Sequence, residues 1–356
     1  MKIGLIGLPT SGKTTIFNAL TNSEADVKTY TTEKAGPNRA VVNVIDERIT
    51  RLSEMYKPKK TVYAAAELID FVGLPQGPAR GQALSSQAIA LMKNTDALAL
   101  VVRNFQDNLM EEPNPLADVR RIQEELLFSD LVISEGRLER IGLPHKRGKK
   151  AGSLQIEEKV LQRILEQLNR GKPIRELRLS KDEKRIICGF QFLTEKPQML
   201  ILNSDEMNFG KSQALLEKIG ENHHAIEFAG KFEMELSRLN DEQEARLFME
   251  DMGIKESARD RLSHMAYETL EYISFFTVGS DEVRAWNLSK GETALGAAAA
   301  IHTDLACGFI RAECFSYSDT VEFGSEKNIR ENGRFRLEGK NYIVQDGDIL
   351  GIRFNV

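Results

Sequence analysis

Apolar residues fall into short runs separated by polar stretches, and their spacing changes along the chain. Residues 2–6 (KIGLI) read as a short buried strand. Similar runs follow at 40–45 (AVVNVI), 64–70 (AAAELID), 97–102 (ALALVV), 198–203 (QMLILN) and 224–229 (HAIEFA). Helical patterns alternate with them. Continuous apolar strands interleaved with helices predict an α/β fold with a doubly wound sheet.

One interval breaks the alternation. Between the strands at 97–102 and 198–203 the spacing is helical: Ile122 and Leu126 are four apart, and Leu127, Leu131, Leu138 and Ile141 continue the stripe. After GLPHKRGKKAGS, the stripe resumes with Ile156, Val160, Ile164 and Leu168. Two amphipathic helices around such a turn predict an inserted antiparallel helical hairpin. Residues 241–272 are again helical. The tail then changes character, with strand-like ISFFTV, FIRAECF, NYIVQ and GIRFNV around an alanine-rich helix, LGAAAAI. The expected division is a split core (1–115 and 190–272), the hairpin (116–189) and a small α+β domain (273–356).

The first strand leads into Gly7-Leu8-Pro9-Thr10-Ser11-Gly12-Lys13-Thr14 and then a helix, TIFNAL. This is GxxxxGK[ST] in the setting it requires, strand before and helix after. Chance would produce the pattern in about one chain in 80 of this length, before the setting is counted. Gly7 and Gly12 allow the backbone to wrap phosphate oxygens, and the loop amides and helix N-terminus face the anion. Lys13 supplies a point charge for the phosphates, and the Thr14 hydroxyl is a ligand for Mg²⁺. Downstream, Asp70-Phe71-Val72-Gly73 is a DxxG at the end of a strand. There Asp70 would hold the same Mg²⁺ and Gly73 would bring a backbone N–H to the γ-phosphate. The polar stretch 22–39 suits a switch loop beside such a site.

Composition adds limits. The 356 residues carry 48 Lys and Arg against 53 Asp and Glu, a net charge of −5. That excludes a globally basic nucleic-acid coat. Cys188, Cys307 and Cys314 are widely spread, which argues for a reducing compartment rather than a disulfide framework. No apolar run is long enough to span a bilayer, and the N-terminus does not read as a signal peptide, so a cytoplasmic monomer is expected. The charge is uneven. Residues 137–150 hold Arg137, Arg140, Lys146, Arg147, Lys149 and Lys150 against Glu139, a local +5, whereas the tail holds 9 basic and 12 acidic residues, or −3. The hairpin tip is therefore the candidate for contact with an RNA backbone, against a solvated turn as the plainer reading.

At the end of the strand QMLIL stands Asn203-Ser204-Asp205-Glu206. Guanine-specific GTPases carry NKxD at this place. Ser204 is too short to cover a base, and Glu206 shifts the carboxylate out of register with the guanine edge, so adenine becomes acceptable.

Taken together these residues resemble the YchF family, an Obg-related branch of P-loop NTPases, over essentially the whole chain. GLPTSGKTTIFNAL resembles its phosphate loop, DFVGLPQG its DxxG switch with Leu74 at the place of a catalytic glutamine, and LNSDE its altered base motif. TVGSDEVRAW, AAAAIHTDLACGFIRAE and EGKNYIVQDGDI resemble its C-terminal TGS domain, a β-grasp module. The resemblance implies that Leu8, Pro9, Thr10, Ser11, Gly12, Lys13, Thr14 and Thr15 bind the phosphates of ATP or GTP. It implies that Asn203, Glu206, Ala229, Gly230 and Lys231 surround the base, with Met207 beside it or in the core. It also implies Mg²⁺ as cofactor and a ribosome or RNA as partner. Two features depart from the family. Lys34 holds the place of the switch threonine three residues before Pro37-Asn38, and FQDNLMEEPNPLADV lacks the family histidine. His302, in the tail, is expected to be structural. Slow intrinsic hydrolysis follows, with turnover raised by a partner or K⁺ supplied in trans. The alternatives are a nucleotide-regulated binding module with vestigial hydrolysis, and a conventional GTP-specific GTPase.

Overall fold

The computed structural model describes residues 1–22, 37–71, 86–107, 110–142, 152–220, 224–239 and 241–355. In chain order the elements begin with β1 (Lys2–Gly7), α1 (Lys13–Thr21), β2 (Asn38–Val44), α2 (Glu47–Tyr56), β3 (Lys60–Val62) and β4 (Ala64–Asp70). Next come α3 (Ser86–Lys93), β5 (Ala97–Asn104), α4 (Pro115–Gly142), α5 (Gly152–Asn169) and α6 (Lys181–Ile187). β6 (Gln198–Ser204), α7 (Gln213–Gly220), β7 (His224–Phe228), α8 (Gly230–Leu236), α9 (Glu242–Asp251) and α10 (Ala258–Leu270) follow. The tail contains β8 (Tyr272–Thr277), β9 (Glu282–Ser289), α11 (Ala294–Ile301), α12 (Thr303–Cys307) and β10 (Phe309–Ser316). It closes with α13 (Tyr317–Phe323), α14 (Glu326–Glu331), β11 (Arg336–Glu338) and β12 (Asp348–Phe354).

Two compact units emerge, one of Lys2–Ala40 with Glu67–Arg259, the other of Met1, Val41–Ala66 and Asp260–Val356. This differs from the sequence division at Val41–Ala66. The physical reason is pairing inside the second unit. β3 adds in parallel to the edge of β9, Arg48 of α2 holds Asp346 at 2.7 Å, and its guanidinium lies over the Phe276 ring. A three-residue strand carries too little pattern to be read from sequence.

The first unit is built on a sheet in which the Glu67–Asp70 end of β4, then β1, β5, β6 and β7, lie side by side in that order and pair in parallel. The order reverses around β1, as the doubly wound expectation requires. Every residue of β6 is buried, and its middle, Met199 to Leu202, is continuously apolar. Leu98, Leu100, Val102, Leu200 and Leu202 on one face pack against Met92 of α3, Val119, Ile122 and Leu126 of α4, and Ile219 of α7. On the other face α1 and α8 pack together.

The expected hairpin is present as α4 and α5. It has its own core of Ile141, Val160, Leu161, Ile164, Leu168, Ile174, Ile187 and Phe192. Thus α4 begins in the sheet's core and ends in the hairpin's. Between the two lies Asp130, fully buried, whose carboxylate accepts from Leu193 N (2.9 Å), Thr194 N (2.7 Å) and Thr194 Oγ1 (2.7 Å). Burial pushes its carboxyl up to about 6, and these hydrogen bonds oppose the rise.

The tail sheet has order β11-β10-β12-β8-β9, extended by β3. A central β12 parallel to β8, with α11 on one face, is a β-grasp arrangement. NYIVQ does not form the expected strand. Only Ile343 bridges to Thr293, and the edge strand is β11 instead. The amides of the segment go elsewhere: Val344 N donates to Glu292 O and Gln345 N to Asp348 Oδ2. Among the described residues no helix is long and apolar enough to cross a membrane.

Candidate functional site

The loop between β1 and α1 is held by close packing. A Cβ on Gly7 would lie 2.6 Å from both Ser11 Oγ and Val101 O. Thr10 (φ 61°) and Gly12 (φ 80°) take left-handed backbone, which turns the chain into α1. At Gly12 a Cβ would sit 2.1 Å from Asn203 Nδ2, so the position has no room for a side chain. Among the described residues no side chain caps the start of α1, which leaves its first amides without a capping acceptor. Ser11 Oγ is buried and has no hydrogen-bond partner among the described residues.

Asp70, at the end of β4, is the centre of the polar cluster. Lys13 Nζ donates to its Oδ1 at 2.6 Å, and Thr14 Oγ1 to its Oδ2 at 2.9 Å. Asn38 Nδ2, at the start of β2, reaches the same Oδ2 at 3.2 Å. Lys13 and Asp70 are both buried. A buried ion pair with further hydrogen bonds on the carboxylate satisfies both charges.

Along β6, side chains alternate between the faces, and two successive residues do different work. Asn203 points to the α1 side. Its Nδ2 donates to Ser11 O at 2.9 Å, and its Oδ1 accepts from Gly230 N at 3.2 Å. It thereby joins the phosphate loop to the start of α8. Ser204 points the other way and is buried, with its hydroxyl on Glu227 of β7 at 2.5 Å. The next turn is set by Asp205, which accepts from Asn208 N at 2.9 Å.

The sequence-predicted residues thus separate into groups. Gly12, Lys13, Thr14, Asp70, Asn203 and Gly230 come together, with Pro9, Thr10, Ser11 and Thr15 in the same loop and first turn. Leu8 and Ala229 are core side chains, so at the site they offer only backbone. Glu206 and Lys231 are exposed. Met207 is 79% exposed, which removes the core alternative for it. Gly73, Leu74 and Lys34 lie outside the described residues. So do Lys146, Arg147, Lys149 and Lys150 of the hairpin tip. Arg137 is not free there: it makes a two-pronged pair with Glu157 of α5, at 2.7 and 3.0 Å. Arg140 is exposed in the last turn of α4. His302 is structural, its Nδ1 accepting from Asp304 N at the start of α12.

Sequence reasoning missed Asn38, Asn104 and Glu227. Asn38 stands in the Pro37-Asn38 pair, used there only for register. Asn104 donates to Ser204 Oγ and Ser212 Oγ at 2.8 and 2.9 Å, and it carries no motif.

A parallel sheet with a GxxxxGKT loop at the end of its central strand, an Asp at the next strand end and an Asn bridge to the loop define a P-loop protein of the GTPase fold. Two family models match, one described as "50S ribosome-binding GTPase" over residues 2–131 and one as YchF-GTPase_C, a protein of unknown function, over 272–355. The chain is 37% identical to the Ribosome-binding ATPase YchF of Haemophilus ducreyi, over 100% of this chain and 99% of that protein. It is 35% identical to the protein of the same name from Bacillus subtilis, with 99% of each covered. The solved YchF GTPase of Schizosaccharomyces pombe is similar over 99% of this chain and 97% of its own, with 30% identity and a TM-score of 0.83. The chain belongs to the YchF family.

Proposed function

We propose that this protein is a Mg²⁺-dependent nucleoside triphosphatase that takes ATP in preference to GTP and hydrolyses it slowly, as a cytoplasmic switch that engages the ribosome. The observation that carries the reading is the convergence of Lys13, Thr14 and Asn38 on Asp70, with Asn203 tying the phosphate loop to Gly230. The curated relatives over the full chain are named ribosome-binding ATPases, which supports the partner and the substrate. The exposed Arg140 and the basic residues after it supply the hairpin's charge for an RNA backbone.

The donor set fits Mg²⁺. Thr14 Oγ1 and Asp70 Oδ2 are hard oxygens already side by side, and these two residues would hold the ion. When bound, the ion would neutralise charge across the β- and γ-phosphates. Lys13 would place its ammonium on the transferring phosphoryl group, and the amides at the start of α1 would hold its oxygens. The buried Ser11 hydroxyl, without a partner among the described residues, has a hydrogen bond to give there. Glu206 would accept from the exocyclic amine of adenine. With Leu74 at the glutamine place and Lys34 at the switch threonine, hydrolysis waits on a partner, or on K⁺, to orient water.

Equilibrium binding of ATP and GTP analogues with Mg²⁺, followed by single-turnover hydrolysis with and without ribosomes and K⁺, tests this. ATP should bind more tightly, with turnover raised by an added partner. A tenfold preference for GTP would overturn the base reading. Binding without turnover under every condition would identify a nucleotide-regulated binding module instead.

A further inference from the structure

We propose that Glu227 is a positioning residue for base selection, clamping the loop that carries Glu206. Its carboxylate joins the two ends of the loop after β6. Oε1 accepts from Ser204 Oγ at 2.5 Å, and Oε2 accepts from Gly210 N at 3.0 Å. Glu227 pairs with Leu202 across β6 and β7, so the strand geometry aims it at Ser204, two residues further on the same face. It is 7% exposed, and a carboxylate held so far from water must be matched by donors in place. Asn104, at the end of β5, ties Ser204 to Ser212 and fixes the exit of the loop. Gly210 takes left-handed backbone (φ 76°), which lets its amide turn inward.

The loop between these anchors is a tight turn. Asn208 N and Phe209 N both donate to Asp205 O, at 3.2 and 2.9 Å, and Glu206 and Met207 stand exposed at its tip. The frame is buried and hydrogen-bonded, and the reading groups are at the surface. A carboxylate distinguishes the amine edge of adenine from the carbonyl edge of guanine only if it is held in register. Ser204, at the lysine place of NKxD, therefore does not cover the base. It is turned to the far face, where it serves the clamp.

The inference rests on the nucleotide reading above, and the test separates the two. Glu227→Gln keeps size but offers only one acceptor to two donors; Ser204→Ala is the milder variant if the first does not fold. ATP, GTP and inorganic triphosphate affinities are measured for each, together with hydrogen exchange at the Gly210 amide. The clamp predicts triphosphate affinity within about twofold of wild type, an ATP-to-GTP affinity ratio lowered by roughly five- to tenfold, and faster exchange at Gly210. An unchanged ratio despite faster exchange overturns it, as does an equal loss for triphosphate. A wild-type protein that binds triphosphate but gains nothing from either base refutes the nucleotide reading itself, and unchanged exchange at Gly210 in Glu227→Gln, or an unchanged ratio in Ser204→Ala, refutes the clamp.

Discussion

The phosphate cradle and the base loop stand at strand ends of one sheet, yet they are built on opposite plans. In the cradle the chemistry is buried: Lys13, Asp70 and Ser11 are all withdrawn from water, and Lys13 and Asp70 satisfy each other. In the base loop the frame is buried and the chemistry is outside. Asn203, Ser204 and Glu227 are enclosed, whereas Glu206 and Met207 are exposed. The difference follows from what each must hold. A triphosphate brings charge that only preorganised donors in a low-dielectric setting hold firmly. A base brings a flat edge, which needs a few groups held at the right height.

The largest effect should come from the cradle. Lys13→Ala removes the charge meant for the phosphates and leaves Asp70 buried with, among the described residues, only the neutral donors Thr14 and Asn38. Nucleotide affinity should fall at least about a hundredfold, and stability by about 3 kcal/mol, the range for a broken buried pair. Calorimetric binding and thermal denaturation measure the two separately. A variant that kept ATP affinity within threefold would remove the cradle's role.

Asp130 sharpens the contrast, as a buried carboxylate whose hydrogen-bond donors are all neutral. Its native carboxyl titrates near 6 and the unfolded group near 3.8, so between those values the folded state holds the extra proton. Stability from this group is therefore fullest below about pH 4, falls as pH rises to about 6, and is flat above. Melting temperatures from pH 4 to 7.5 should fall with pH more steeply in wild type than in Asp130→Asn. Parallel curves would show that Asp130 contributes none of the slope.

Legibility in the sequence divides along the same line as the comparison. Gly7, Gly12, Lys13, Thr14 and Asp70 were readable because phosphate chemistry demands those residue types at fixed spacing. The parallel sheet and the hairpin were readable because long buried elements impose a period. Glu227 and Asn104 were not, since a buried polar residue that matches a distant donor has no local pattern. Asn38 was visible as half of a dipeptide, but its reach to Asp70 depends on β2 starting beside the end of β4. NYIVQ has strand composition, and its backbone amides are claimed by Glu292 and Asp348.

Asn203 is the bridge between the two regions, and its loss should act on both. Asn203→Ala frees Ser11 O and Gly230 N, two buried groups, at a cost of about 1–3 kcal/mol each if water cannot reach them. Affinity for ATP and GTP should fall by a similar factor, roughly tenfold, with the ratio between them kept. A selective loss of one nucleotide would place Asn203 on the base edge instead.

The smallest effect belongs to the tip. Met207 is 79% exposed, and among the described residues no core cluster includes it. Met207→Ala should change stability by less than about 0.5 kcal/mol, as for other surface substitutions. Glu206→Gln, its neighbour, should be equally silent in stability but should alter the ATP-to-GTP ratio, because the amide presents a donor where the carboxylate offered only acceptors. If Met207→Ala shifts nucleotide affinity more than Glu206→Gln does, the thioether covers the base and apolar contact, not the carboxylate, dominates at the tip. That outcome would leave the buried frame as described and change only what it holds out.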